Sequence, residues 1–158
     1  MDVAERGALI ERYETGVGEV RAALEGITDQ ELDARSGPSE WSPREVVQHL
    51  GDSEMTSAIR LRKLLAEDAP VLEGYDEAGY ATTFRYAERP VEPALAAFDG
   101  ARATSAQILR LLGPKDWARE GTHTESGRYT VEDWLRIYAA HAHEHADQIR
   151  HARAAASA

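Results

Sequence analysis

The sequence has no cysteine, few basic residues and no long apolar run, and each absence excludes a class of protein. Without cysteine there is no disulfide, no cysteine zinc site and no cysteine nucleophile. Lysine and arginine total 18 against 28 aspartate and glutamate residues, which gives a net charge of -10. Because nucleic acids and anionic membranes attract clustered basic side chains, this balance argues against both partners.

Targeting segments are also absent from the sequence pattern. No stretch approaches the roughly 20 apolar residues that cross a bilayer. The start, Met-Asp-Val-Ala-Glu-Arg-Gly, lacks the basic residues and the apolar run of a secretory signal, so we expect a cytoplasmic location. The length of 158 residues suits one domain, and residues 1–158 are predicted to form it.

Four segments show the apolar periodicity of amphipathic helices, which predicts an all-α four-helix bundle. The predicted helices span approximately residues 10–27, 42–67, 90–112 and 130–153. In the first, Gly16 and Gly18 each weaken the helix by about 1 kcal/mol relative to alanine, and Gly26 is expected near its end. Strand signals are poor, and residues 80–86 and 120–129 are interpreted as loops.

The second helix has the clearest start signal, and the link after it is unusually long. Ser42, Pro43 and Glu45 form a capping box with proline at the first helical position. Helix–helix links usually take about 2–8 residues, whereas residues 68–89 separate the second and third helices. Such a link spans a whole helix, so these two helices can run parallel, and its aromatic residues favour a packed loop.

The fourth predicted helix carries two histidines on its core-facing stripe. His141 and His145 lie one turn apart on the same face, while His143 points away. Burial and mutual repulsion keep such a pair neutral, with lone pairs available to a divalent cation. An i, i+4 pair is a known metal-binding spacing, although hydrogen-bonded core histidines remain an alternative.

A third ligand candidate lies two turns into the second helix, where His49 flanks the apolar stripe. From this flank it can face a cleft between helices or, equally, solvent. If it meets His141 and His145, the site has three nitrogen ligands and an open position, as catalytic metal sites do. His123 and His151 are weaker candidates because of their loop and terminal positions.

Three segments, taken in order, resemble the DinB/YfiT superfamily. The first runs from Trp41-Ser42-Pro43 through His49-Leu50 to Glu54 and resembles the "W-S-P…H-L…E" signature. The second runs from Trp117 to Thr130 and is similar to the loop before the last helix. The third, from His141 through His145 to Gln148-Ile149, resembles the closing "H-x-x-x-H-x-x-Q-I" motif.

The resemblance implies an up-down-down-up four-helix bundle with the long crossover between its second and third helices. It also implies a divalent metal, Zn²⁺ or Ni²⁺, bound by His49, His141 and His145, and a homodimer. Characterised relatives include transferases that use a low-molecular-weight thiol of the mycothiol or bacillithiol type. We therefore expect a small-molecule substrate, for which a low-molecular-weight thiol of this type is a candidate.

Three functions stay open at this stage: a metal-dependent thiol transferase, favoured first; a metal-dependent hydrolase; and a non-enzymatic bundle that binds metal or a small molecule. For the transferase, Arg60 lies nearly on the face of His49 and is a candidate for binding a substrate carboxylate. Gln148 and Asp52 are candidates to orient His145 and His49 respectively. For the hydrolase, no nearby carboxylate clearly shares the ligand face (candidates Glu54, Asp52, Glu144 and Asp147).

Overall fold

The computed structural model describes residues 1–156 and contains six helices and one small sheet within them. The helices are α1 (Val3–Leu24), α2 (Asp29–Leu32), α3 (Pro43–Ala66), α4 (Glu77–Thr83), α5 (Glu92–Leu109) and α6 (Val131–Ala156). The long helices α1, α3, α5 and α6 form a four-helix bundle, as predicted, while α2 and α4 lie in the connections. Short 3₁₀ helices occupy Tyr86–Glu88 and Asp116–Ala118.

The ends of the long helices follow local signals. The capping box at the start of α3 is present, because the Ser42 backbone N–H donates to the Glu45 carboxylate at 2.9 Å and the Ser42 side chain accepts from the Glu45 N–H. Helix α1 starts earlier than predicted, since Asp2 forms a second capping box with Glu5. Its end lies just before Gly26, whose φ of 64° leaves the helical region at no steric cost.

Helices α1 and α6 run parallel, which side-chain contacts at both of their ends establish. Near the two starts, Arg6 donates to the Glu132 carboxylate at 3.0 Å. Near the two ends, Arg153 donates to the backbone carbonyl of Ala23 at 2.7 Å.

Helices α3 and α5 also run parallel to each other. Gln48 donates to the carbonyl of Pro90 at 2.8 Å near their starts, and Arg62 donates to the Thr104 hydroxyl at 3.2 Å near their ends. Helix α3 runs antiparallel to α6. His49, near the start of α3, lies beside His141, whereas the carbonyl of Ser57, later in α3, accepts a hydrogen bond from Trp134 near the start of α6. The order is therefore up-down-down-up, as the resemblance implied.

Residues 80–86, in the crossover between α3 and α5, and residues 120–129, before α6, were predicted to be loops. That prediction is wrong in part. Residues 120–129 contain strands β2 (Glu120–His123) and β3 (Gly127–Thr130), which form an antiparallel hairpin. The crossover contributes strand β1 (Val71–Leu72), which pairs in parallel with β2. It also contains α4, whose first turn is capped by Asp76. This helix includes the first part of residues 80–86, which were interpreted as loop. The sheet thus attaches the crossover to the bundle.

The bundle core has two apolar clusters, separated along the helices by a layer of buried polar side chains. One cluster surrounds Trp134 and the other surrounds Phe98. Gly16 lets α1 approach α6 closely, since a Cβ there would lie 2.7 Å from the Cβ of Ala142 and 3.1 Å from the Arg102 guanidinium. In residues 1–156, none of the helices has both the length and the apolar character of a bilayer-spanning segment.

Candidate metal centre

Three histidine side chains from two antiparallel helices converge in the bundle. His49 comes from α3 and is 1% exposed, so its flank position faces the cleft between helices rather than solvent. His141 and His145 come from α6, one turn apart. The Nε2 atom of His141 lies 3.3 Å from that of His49 and 3.1 Å from that of His145. All three ligand atoms lie within 4.8 Å of one another.

This spacing fits a first-row divalent cation. In a tetrahedral site, metal–nitrogen bonds of about 2.0–2.1 Å hold the ligand nitrogens about 3.3–3.4 Å apart. The two Nε2–Nε2 distances from His141, 3.3 Å to His49 and 3.1 Å to His145, are close to that separation. Because the cluster has three members among the described residues, a fourth coordination position is left for water or substrate.

The electrostatic environment keeps the three imidazoles neutral. Burial, reinforced by the neighbouring His145, lowers the pKa of His49 to about 3. Burial also places the pKa of His141 well below its usual value, with His145 and His49 adding to the effect. Burial likewise lowers the pKa of His145, although Gln148 opposes that shift. Neutral imidazoles have the free lone pair that metal coordination requires.

Gln148 lies where it was expected, whereas Asp52 does not. The Gln148 side-chain oxygen is 2.8 Å from Nδ1 of His145, so it accepts the Nδ1–H and leaves Nε2 unprotonated toward the cluster. Asp52 instead accepts a hydrogen bond of 2.5 Å from the Tyr86 hydroxyl. Nδ1 of His49 is buried and has no hydrogen-bond partner among residues 1–156. The expectation that Asp52 orients His49 is therefore wrong: Nδ1 of His49 has no partner in the described part of the chain, and the Asp52 carboxylate bonds to Tyr86 from the crossover instead.

Arg60 reaches back along α3 toward the histidines. Its guanidinium donates to the Tyr138 hydroxyl at 3.2 Å and to the backbone carbonyl of Glu73 in the crossover. The ring of Tyr138 packs edge-on against His141, with 5.8 Å between ring centroids. Arg60 therefore lies one side chain away from the histidine cluster, closer than its helical position alone indicated.

The crossover forms one wall of an open cleft outside the cluster. The cleft has a volume of about 720 Å³. Trp41 lines it and packs on the His49 ring at 4.9 Å between centroids. Tyr75 also lines it, and its hydroxyl lies near Ser53, one turn after His49. The sequence indicated only packing for the aromatic residues of the crossover, Tyr75 among them. The position of Tyr75 depends on how the crossover folds back onto α3, which no local pattern shows.

None of the four carboxylates considered for a hydrolase makes a hydrogen bond to the nitrogens of the three histidines. Asp52 is held by Tyr86, Glu144 is exposed, and Asp147 is exposed and paired with Arg150. Glu54 is fully buried and bonded elsewhere, within the polar layer of the core. The cluster thus has no general base among these candidates.

Glu54 belongs to a buried ion pair that the sequence reasoning missed. Its carboxylate accepts from the Arg102 guanidinium at 2.7 Å and from the Tyr13 hydroxyl at 2.5 Å. Arg102 also donates to the backbone carbonyls of Tyr13 and Tyr138. A signal was present, because Glu54 and Arg102 both continue the apolar stripes of their helices, where opposite charges can pair.

The other histidines lie away from the cluster. Nε2 of His143 is 2.9 Å from the backbone carbonyl of Arg12, on the opposite side of α6. His123 is buried on β2, where Nδ1 accepts from the backbone N–H of Glu125 at 3.3 Å. Neither contributes an atom to the three-histidine group.

Comparison with known proteins gives consistent matches over most of the chain. A sequence model of the DinB superfamily matches residues 12–149. A relative from Oceanobacillus iheyensis is 32% identical over 123 residues, covering 78% of this chain and 71% of the relative. YfiT from Bacillus subtilis strain 168 is 30% identical over 131 residues, covering 82% and 74%. The names of both place them provisionally among metal-dependent hydrolases.

A solved structure agrees with these sequence matches. The structure of YfiT from Bacillus subtilis superposes with a TM-score of 0.88 at 27% identity, covering 94% of this chain and 86% of that one. Its description assigns YfiT, by inference, to the metal-dependent hydrolases and notes an unusual four-helix bundle topology. The likeness therefore extends over nearly the whole chain.

Proposed function

This chain belongs to the DinB superfamily, and from that premise we propose that it is a divalent-metal-dependent hydrolase. His49, His141 and His145 are the proposed ligands, and Zn²⁺ and Ni²⁺ are the proposed metals because imidazole suits both. The observation that carries the proposal is the convergence of three histidines, with Nε2 of His141 at 3.3 and 3.1 Å from those of His49 and His145 and all ligand atoms within 4.8 Å. The names of the relatives support hydrolysis rather than thiol transfer.

Each side chain has a separable task in this proposal. The three imidazoles hold the cation, and Gln148 fixes the tautomer of His145 through its Nδ1–H. When bound, the cation supplies Lewis acidity, which lowers the pKa of water toward 7. Trp41 covers one side of His49 and limits access to the crossover side, where the cleft opens.

The test is a hydrolysis screen of the purified, metal-loaded protein on ester and amide substrates. We expect turnover without any thiol, loss of turnover on chelation, and recovery on adding back Zn²⁺ or Ni²⁺. The His141→Ala variant removes a ligand and should be inactive, whereas His143→Ala, on the same helix, should retain activity. Turnover that requires mycothiol or bacillithiol would contradict the hydrolase proposal and support the thiol transferase instead.

A further inference from the structure

Two buried hydrogen-bond donors beside the histidine cluster have no acceptor. Among residues 1–156, Nε of Arg60 and the hydroxyl of Tyr75 are both buried without a hydrogen-bond partner. Buried polar groups are nearly always satisfied in folded proteins, so such groups call for an explanation. Arg60 contacts the crossover at the Glu73 carbonyl, and Tyr75, two residues further along the crossover, lines the cleft.

The positive charge of Arg60 is also uncompensated at hydrogen-bond distance. Its two acceptors, the Tyr138 hydroxyl and the carbonyl of Glu73, are both neutral. Glu77 and His123 act on it electrostatically, but neither makes a hydrogen bond to it. A partly buried charge that no counter-charge contacts directly is costly, so an anion from solution has a favourable place here.

A third donor points to the same conclusion. The Tyr138 hydroxyl accepts a hydrogen bond from Arg60, which leaves its own proton available to another acceptor. A phenol has an ordinary pKa of about 10, so both hydroxyls are protonated near neutral pH and can donate. Two phenol donors and a guanidinium, with no acceptor among their free groups, form a site for an anionic oxygen.

We propose that Arg60, Tyr75 and Tyr138 bind a carboxylate group of the substrate beside the metal centre. This inference rests on the proposed function and names its substrate class, which is a hydrolysable compound that bears a carboxylate. The position follows from two contacts: Tyr138 packs against His141, and Tyr75 faces Ser53 one turn from His49. A planar carboxylate also matches the fork of a guanidinium.

The direct test measures the binding of matched hydroxamic acids to the full chain loaded with Zn²⁺. Each pair has the hydroxamate at one end and either a carboxylate or a neutral carboxamide at the other, with short, medium and longer alkyl spacers. Isothermal titration calorimetry then gives the preference for the charged end. We expect at least one spacer to show a preference of about tenfold or more, since hydrogen bonds to charged groups contribute about 1.5–3 kcal/mol.

Variants separate binding from folding. Arg60→Gln should abolish the preference, and Tyr75→Phe and Tyr138→Phe, which remove only a hydroxyl, should each reduce it about threefold to tenfold. Arg62→Gln is the matched control on the same helix, because its guanidinium contacts the Thr104 hydroxyl on α5 instead, and it should leave the preference unchanged. Glu77→Gln should strengthen the binding of the carboxylate, since it removes a repelling charge.

The outcomes distinguish this inference from the proposed function. If the hydroxamates bind but no spacer gives a preference, or if Arg60→Gln retains it, the carboxylate site is refuted while the metal centre stands. If neither member of any pair binds, the metal centre fails, and glutarate is then titrated against its diamide on the metal-free chain. Binding of glutarate that depends on Arg60 supports the carboxylate site by itself, and absence of binding refutes it.

Discussion

The buried ion pair between Glu54 and Arg102 makes a strong prediction about stability. Arg102 is 1% exposed, and its guanidinium makes three hydrogen bonds of 2.6–2.7 Å, to the Glu54 carboxylate and to the carbonyls of Tyr13 and Tyr138. Arg102→Met removes all three and leaves the carboxylate buried with only hydroxyl donors. We expect a loss of about 3–5 kcal/mol, the usual cost of removing one partner from a buried pair.

The loss is measured by urea unfolding of the metal-free chain, followed by far-ultraviolet circular dichroism. Because domains of this size have about 5–15 kcal/mol of stability, the change should move the midpoint strongly. Arg110→Met is the control: it lies directly after the same helix and pairs with Glu14 in solvent, so it should have little effect.

A double-mutant cycle tests the reasoning behind this magnitude. In the Arg102→Met/Glu54→Gln double variant both charges are gone, so it should cost less than the sum of the two single variants. If Arg102→Met costs less than about 1 kcal/mol, or if the two single effects add, the pair is not the coupled buried interaction described here.

Three further predictions follow from the geometry. Gly16→Ala should destabilise the chain, because the added Cβ meets Ala142. Gly18→Ala, whose Cβ meets nothing within 4 Å, should instead raise the free energy of unfolding in urea by up to about 1 kcal/mol. Equal effects of the two variants would contradict the close approach of α1 and α6. Gln148→Ala should weaken Zn²⁺ affinity about 10-fold to 100-fold in a chelator competition, and an unchanged affinity would remove its orienting role. The metal-free chain should lose stability as the pH falls below about 6.5, because the lowered pKa values of the buried histidines mean that the unfolded state binds more protons. For His49, whose folded pKa is about 3, the loss is at most about 1.4 kcal/mol per pH unit, and pH titration of unfolding with a His49→Ala comparison measures it.

The sequence predicts features that depend on one helix face or one cap. The start of α3 follows from Ser42 and Glu45, and the pairing of His141 with His145 follows from their spacing. The length of the crossover allows α3 and α5 to run parallel, which a short turn forbids, and the family resemblance implies that arrangement. Each of these inferences uses residues that are close together in the chain.

The missed features depend on residues that are far apart in the chain. Strand β1 has only two residues, and its partner β2 lies some fifty residues later, so no local pattern marks the pair. Asp52 was assigned to His49 because the two are near in sequence, but its carboxylate accepts a hydrogen bond from Tyr86 in the crossover instead. Tyr75 enters the site for the same reason, since only the folded crossover brings it beside α3.

The most direct test of the account is the metal content of the purified chain and of single histidine variants, measured by inductively coupled plasma mass spectrometry after loading with Zn²⁺ or Ni²⁺. The account predicts about one metal ion per wild-type chain, because the three Nε2 atoms form one site. It predicts strong loss of metal in His49→Ala, His141→Ala and His145→Ala, and full retention in His143→Ala, whose ring bonds to the Arg12 carbonyl instead. Full metal retention in the three ligand variants would contradict the account.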